Sequence, residues 1–332
     1  MSFRVSIADV AREAGVSRQT VSRALNNKGE ISNATLHRVQ EVIDRLDYRP
    51  SSIARGLATR HTRTIGLIVP DIANPFFADI GRGADDAAHE AGYSLLLCNA
   101  VEDPDREADL LRTLEQRAVD GVVLCSSRLP EDDLADLVKR HDAVVLINRS
   151  LAGSGSVCVD DARGTASVVQ HLLGSGRRRI GLLVGPQMSH SSRERARGYA
   201  EALRAAGEEP DPTLTKRCDV PDIEGGYRAA RALLGARPDV DGMICHNDLV
   251  ATGALRVCAE LGRRVPDDVA VTGADDVLLA SLVTPALTTL RIDRQAIGAA
   301  ALRMLIDQLH GASGACNMLV FQPELVVRAS AP

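Results

Sequence analysis

Residues 7–26 read IADVAREAGVSRQTVSRALN, and the spacing inside this stretch decides how the rest of the chain is read. Ala11 is a small residue where two helices can cross closely. Gly15 follows four positions on, where the turn between helices needs a positive φ that glycine adopts without steric cost. Val21, six further on, supplies the aliphatic contact back to the first helix. These are the requirements of a helix-turn-helix, and its second helix then turns Arg18, Gln19, Ser22 and Arg23 outward. Arg and Gln match base edges in the major groove, while the hydroxyls of Ser17, Thr20 and Ser22 match phosphates. Asn26, the last residue of the stretch, completes the DNA-facing set.

The flanks fit the same reading. Ser6 with Asp9 forms a capping-box-like start, and Ile7, Val10, Ala11 and Ala14 then share one face. Gly15-Val16 interrupts this helix and Ser17 caps the next, whose inner face is Val21, Ala24 and Leu25. A third helix follows Ser32, with Leu36, Val39, Val42, Ile43 and Leu46 at helical spacing, and Asp47-Tyr48-Arg49-Pro50 ends it. Residues 1–63 hold eleven Arg or Lys against six acids, so this end carries +5 and the remainder −10 of a total of −5. A basic end on an acidic body suits a nucleic-acid-binding arm on a regulatory module.

From Thr64 the pattern changes to short apolar runs alternating with amphipathic helices. The runs are TIGLIVP, YSLLLCN, DGVVLCSS, AVVLINR, RIGLLVG, DGMICHND, VAVTGAD and LTTLRID. Such alternation means parallel sheets covered by helices on both faces, and more strands occur than one sheet usually holds. Two similar α/β lobes are therefore expected. At 332 residues the chain is long enough for more than one domain, and 25% charged with 45% hydrophobic residues is an ordinary globular balance. Four Phe, four Tyr and no Trp leave few rings for a single-strand nucleic-acid platform. Seven scattered cysteines without a C-x-x-C, and an N-terminus without a signal-peptide core, suit buried thiols in a cytoplasmic protein. No stretch reaches membrane-spanning length.

In open parallel sheets, ligands bind beyond the carboxyl ends of the strands. Several strands here end in polar groups at that place: Asp71 and Asn74 with Phe76-Phe77, Ser126-Ser127, Asn148-Arg149, Asn247-Asp248 and Asp275-Asp276. Ser191 and Arg195 lie in the segment after RIGLLVG. Hydroxyl and amide groups beside Arg, Asp and one or two rings suit a polyol or sugar. Phe77 and Asp248 read more simply as a core residue and a helix cap. No phosphate-binding glycine loop, nucleophile elbow or metal-ligand spacing is present, so neither enzyme chemistry, a cofactor nor a metal is expected.

The motif DVAREAGVSRQTVSRALN, continued by NATLHRVQEVIDRLDYRP and SSIARGLA, resembles the lac repressor/purine repressor (LacI/GalR) family, and the resemblance extends over nearly the whole chain. It implies an all-α helix-turn-helix headpiece at residues 1–50, a hinge helix and linker at 51–63, and a two-lobed, periplasmic-binding-protein-like (type I) effector and dimerisation domain at 64–332. By the same resemblance Ile53, Ala54 and Leu57 occupy the hinge contact positions, with Leu57 wedged into the minor groove. It also places Phe76, Ser127, Asn148, Ser191, Arg195, Asn247 and Asp275 at effector-contact positions. Arg195 and Asp275 are anchored by GP…R…G and GADD. Val220 stands where purine- and galactoside-binding members carry a stacking aromatic, and Asn148 where relatives often carry Asp. The expected protein is a homodimeric repressor of carbohydrate genes that binds an inverted-repeat operator and is released by a small sugar. The competing readings are a purine- or nucleoside-responsive repressor and a solute-binding receptor.

Overall fold

The computed structural model describes residues 5–25, 31–48, 61–312 and 317–332. Asn26, Ile53, Ala54 and Leu57 therefore lie outside the described residues. The chain divides into two compact units, residues 1–62 and 63–332.

The first unit is built from α1 (Ile7–Ala14), α2 (Arg18–Leu25) and α3 (Asn33–Arg45). The Asp9 carboxylate accepts from the Ser6 backbone N–H at 3.0 Å and from its hydroxyl at 2.6 Å, which fixes the start of α1. Gly15 ends α1 at φ +63°, and the next N–H, of Val16, reaches back to the Ala11 carbonyl at 3.0 Å. Ser17 accepts from the Thr20 N–H at 3.0 Å and so starts α2. Ser32 does the same for α3 with Thr35. Val10, Val21 and Val39 are wholly buried, with Ala11, Ala14, Val42 and Ile43 packed around them. Each fully buried valine contributes about 1.5–3 kcal/mol, enough for three short helices to hold one another where none would persist alone.

The second unit alternates strand and helix. Its first lobe holds β1 (Thr64–Val69), α4 (Pro75–Glu90), β2 (Ser94–Asn99), α5 (Pro104–Gln116), β3 (Gly121–Cys125), α6 (Glu131–Val138), β4 (Val144–Ile147) and β5 (Gly155–Val159). The second lobe follows with α7 (Asp161–Gly174), β6 (Ile180–Val184), α8 (His190–Ala205), β7 (Thr215–Arg217), α9 (Ile223–Ala236), β8 (Gly242–Cys245), α10 (Asp248–Glu260) and β9 (Ala270–Thr272). After α11 (Leu278–Leu282) and β10 (Thr289–Arg291), α12 (Arg294–Leu309) and β11 (Met318–Phe321) return to the first lobe, and β12 (Glu324–Val326) pairs antiparallel with β10. The first sheet has the order β11-β5-β4-β3-β1-β2 and the second β7-β6-β8-β9, all pairs parallel. Among the described residues the chain thus passes between the lobes three times, after β5, after β10 and after β11.

All eight apolar runs quoted from the sequence contain strands. Four more strands, β5, β7, β11 and β12, do not stand out in it. β7 is Thr-Lys-Arg on an open edge and β5 opens on Gly and Ser, so neither carries an apolar run. Two separate clusters, one around Ile65, Leu67, Ile80 and Leu302 and one around Ile68, Leu111 and Leu124, fill the two faces of the first sheet. In the first of these, α4 and α12 approach so closely that a Cβ on Gly298 would sit on the Ile80 carbonyl.

Candidate functional site

On the first unit, α2 presents Ser17, Arg18 and Gln19 to solvent, with Thr20, Ser22 and Arg23 half-buried beside them. The Ser17 and Thr20 hydroxyls are 2.9 Å apart. Arg12 is paired with Asp9, and Arg45 with Glu13 at 2.9 Å, whereas Arg18 makes no ion pair among the described residues. The exposed edge of α2 therefore offers a guanidinium and an amide, the two groups that read guanine and adenine edges bidentately.

In the second unit the carboxyl ends of the strands face a narrow cleft. From the first lobe, Asn74 caps α4 through its side-chain oxygen and brings Phe76 and Phe77 to the wall, edge to face at 5.2 Å. Ser126 and Asn148 follow β3 and β4 at φ +47° and +53°, the left-handed turn that swings each side chain over the strand end. Asn148 accepts from the Val159 N–H at 3.1 Å through its side-chain oxygen. Arg128 lines the cleft with its charge spent: it grips Glu102 at 2.6 and 3.0 Å and donates to the Ser126 carbonyl at 2.5 Å.

From the second lobe come Ser189 and Ser191 at the start of α8, Arg195 one turn further on, and Pro221, His246, Asn247 and Asp275. Arg195 is the hub. Its Nε donates to Asp161 at 2.8 Å, one terminal nitrogen to the His246 carbonyl, and the other to Asp275 at 3.5 Å. Burial, against the pull of Arg195 and with the Asp161 charge adding to it, pushes the Asp275 carboxyl up to about 7. Asn247 caps α10 through Val250 and donates to the Pro221 carbonyl at 2.9 Å.

Six of the seven side chains placed at effector positions by resemblance meet at this cleft: Phe76, Asn148, Ser191, Arg195, Asn247 and Asp275. Ser127 does not. It is buried behind the strand, accepting from the Leu129 N–H at 3.2 Å and bonded to Glu107, and Ser126 takes its place because the left-handed turn falls at that residue. Phe77, read as core, also reaches the wall, and Val220 stands off it at 42% exposure. Asp248 is not the cap of α10; Asn247 is, and Asp248 instead accepts from the Val277 N–H at 2.8 Å and the Thr289 hydroxyl at 2.6 Å. Sequence reading missed Arg128 and Asp161, which nothing in the local pattern marks; His246, beside Asn247 at a strand end, is the histidine that the sequence places near the cleft, without a contact role.

A helix-turn-helix and a two-lobed cleft fold on one chain define a class, the DNA-binding regulators with a domain of the small-molecule-binding type. Residues 6–51 match the model of "Bacterial regulatory proteins, lacI family", and residues 62–319 that of "Periplasmic binding proteins and sugar binding domain of LacI family". The chain is 35% identical over 307 residues to the ribose operon repressor of Halalkalibacterium halodurans, covering 92% of this chain and 90% of that one. A solved complex of the transcriptional regulator CelR with cellobiose is 35% identical, covering 98% of this chain and all of that one, at a TM-score of 0.75. The lac repressor dimer bound to operator and the anti-inducer ONPF is 26% identical, covering 98% and 99%, at a TM-score of 0.88. The chain belongs to the LacI family of bacterial regulatory proteins, as a DNA-binding transcriptional repressor. Its relatives are transcriptional regulators rather than enzymes. No described helix is long and apolar enough to cross a membrane.

Proposed function

We propose that this repressor governs carbohydrate-utilisation genes and releases its operator when a small sugar or sugar derivative enters the cleft between its lobes. The observation that carries the reading is the electrostatic state of that cleft. Arg128 and Arg195 are already neutralised by Glu102, Asp161 and Asp275, so the wall presents hydroxyls, amides and an imidazole beside two phenyl rings. Neutral donors and acceptors beside an apolar ring edge suit a polyol with one C–H face better than an anion. A flat purine is less well served, since by resemblance Val220 stands where purine-binding members carry a stacking aromatic. A relative named as the ribose operon repressor and another solved as a complex with cellobiose support the same class of ligand.

In this reading the protein works in the cytoplasm as a homodimer, pairing in part through apolar side chains left exposed on the second lobe: Ile223, Leu278 and Leu282. Two copies of α2 then read an inverted repeat through Arg18, Gln19 and Arg23, with Ser17, Thr20, Ser22 and Asn26 on the backbone and Ile53, Ala54 and Leu57 at the central step. An inducer must favour the lobe arrangement that does not suit DNA, and a coupling of about 1–3 kcal/mol changes operator affinity roughly 5- to 150-fold. The test is a thermal-shift panel of D-ribose, D-galactose, D-glucose, cellobiose, adenosine and hypoxanthine, followed by operator titration on DNA selected from a random pool. A sugar that raises the melting temperature and weakens operator binding is the expected result. A response confined to adenosine or hypoxanthine overturns the reading.

A further inference from the structure

The turn after β9 carries more than its cleft carboxylate. Asp275 and Asp276 adopt φ of +103° and +50°, a backbone that non-glycine residues keep only where their surroundings hold it. Three sets of contacts hold this one. The Asp275 side chain faces the cleft and pairs with Arg195 at 3.5 Å. The Asp276 carboxylate accepts from Arg291, at the end of β10, at 2.8 Å and from Arg328, beyond β12, at 2.6 Å. The third set comes from the first lobe. Arg294, the first residue of α12, donates one terminal nitrogen to the Asp275 carbonyl and to the Asp276 carbonyl, the latter at 3.2 Å. Its Nε donates to the Asp79 carboxylate on α4 at 2.8 Å. Asp79 lies one turn beyond Phe76 on the helix that walls the cleft from the first lobe. A single guanidinium, 17% exposed, thus joins the helix behind one wall of the cleft to the turn that forms the other.

A ligand shifts the lobes only through contacts that differ between two arrangements, and the shift reaches DNA only through elements that both sites bias. We propose that Arg294, held by Asp79, is a positioning residue that makes the Asp275–Asp276 turn and α4 answer the effector together. Without it the cleft still fills, but the operator is no longer fully released. The inference rests on the reading of the cleft as the effector site and adds the residues that transmit its occupancy. A ligand that engages the Asp275 carboxylate moves the turn, and the carbonyls of that turn are the acceptors of Arg294. Neither Arg294 nor Asp79 lines the cleft, so effector affinity and effector response are separable at these two positions. The same two helices supply a control. Arg303 on α12 and Glu90 on α4 pair at 3.9 Å on the surface, both within the first lobe.

The experiment titrates operator DNA with the full-length protein, with and without D-ribose, D-galactose, D-glucose, cellobiose, adenosine and hypoxanthine. Calorimetry then gives the affinity for whichever compound weakens operator binding by the wild type. Arg294→Met binds that compound nearly as well as the wild type, while the factor by which it weakens operator binding falls about 2- to 30-fold. By reciprocity, operator DNA loses the same factor in its effect on the compound's affinity, a readout that a merely structural role would not move. Asp79→Asn shows a smaller loss of the same kind and stands in if Arg294→Met does not fold. The double variant loses no more than Arg294→Met, and Arg303→Met keeps the wild-type factor. An unchanged factor in Arg294→Met, or in Asp79→Asn where it stands in, overturns the inference while leaving the sugar reading intact. So do losses that multiply in the double variant, or an equal loss in Arg303→Met. A response confined to adenosine or hypoxanthine overturns the sugar reading, and the same variants then decide the role of Arg294 on that compound. A wild type whose operator binding none of the six compounds weakens overturns the effector reading of the cleft, and this inference with it.

Discussion

Arg195 shows how much one side chain can be asked to do. It donates to Asp161, to the His246 carbonyl and to Asp275, and it is nine-tenths buried. Its removal leaves two buried carboxylates facing each other without a counter-charge, which costs about 3–5 kcal/mol. Arg195→Ala is therefore expected to destabilise the second lobe as well as to abolish the effector response, with a larger loss in urea denaturation at pH 8 than at pH 6, where Asp275 can take up a proton. At this scale legibility was uneven. Gly15 and Val21 were readable because a helix-turn-helix imposes a fixed spacing within one short stretch. Ser126 and Ser127 were not separable, since which of two adjacent serines faces the cleft depends on a left-handed φ at the first. Arg128 was unreadable for a different reason: its partners, Glu102 and the Ser126 carbonyl, are assembled by the fold and not by local pattern.

Among the elements, the helix pair α4 and α12 sets the closest tolerance. These two helices come from opposite ends of the second unit and cover one face of the first sheet together. Because a Cβ on Gly298 meets the Ile80 backbone, Gly298→Ala forces the helices apart and costs roughly 1–3 kcal/mol. Gly174, the last residue of α7, has nothing within 4 Å of such a Cβ, and the same substitution there is expected to be neutral or to stabilise by up to about 1 kcal/mol. Denaturation midpoints of the two variants against wild type check both signs. The strands that sequence reading found are apolar runs, including β2 at an edge of the first sheet, whose residues are only partly buried. It missed β5 and β7, where small or polar residues leave pairing rather than composition to make the strand.

For the molecule as a whole, the consequential burden is acid kept out of water. Asp248, under the Val277 N–H and the Thr289 hydroxyl, is pushed by burial up to about 8, with the neighbouring Asp275 adding to it. A carboxyl whose folded value lies above the ordinary 3.8 holds a proton that the unfolded chain gives up. Stability from this group is full at low pH and is lost as pH rises towards about 8. Asp248→Asn, which keeps an acceptor for the Val277 N–H and can donate its amide N–H to the Thr289 hydroxyl, should therefore flatten the fall in melting temperature between pH 5 and pH 8, as scanning calorimetry at several pH values would show. An unchanged slope would place the titration elsewhere.

The three passages of the chain between lobes also bear on how the protein is made. The second lobe runs from Asp161 to Arg291 and is completed by β12 and by Ser330 and Ala331, which are buried and bond Val271, Thr288 and His171. The first lobe is also discontinuous: Ile65, Leu67 and Ile80 are covered by Ile297, Ala301, Leu302 and Leu305, and the far edge of its sheet is closed by β11. During vectorial synthesis the lobe translated first must wait for α12 before its core can close, and the second waits for Ser330 and Ala331. A chain that stops between β5 and α12 thus presents one uncovered apolar sheet face to the cell, and such a truncation is a hazard for aggregation as well as a loss of function.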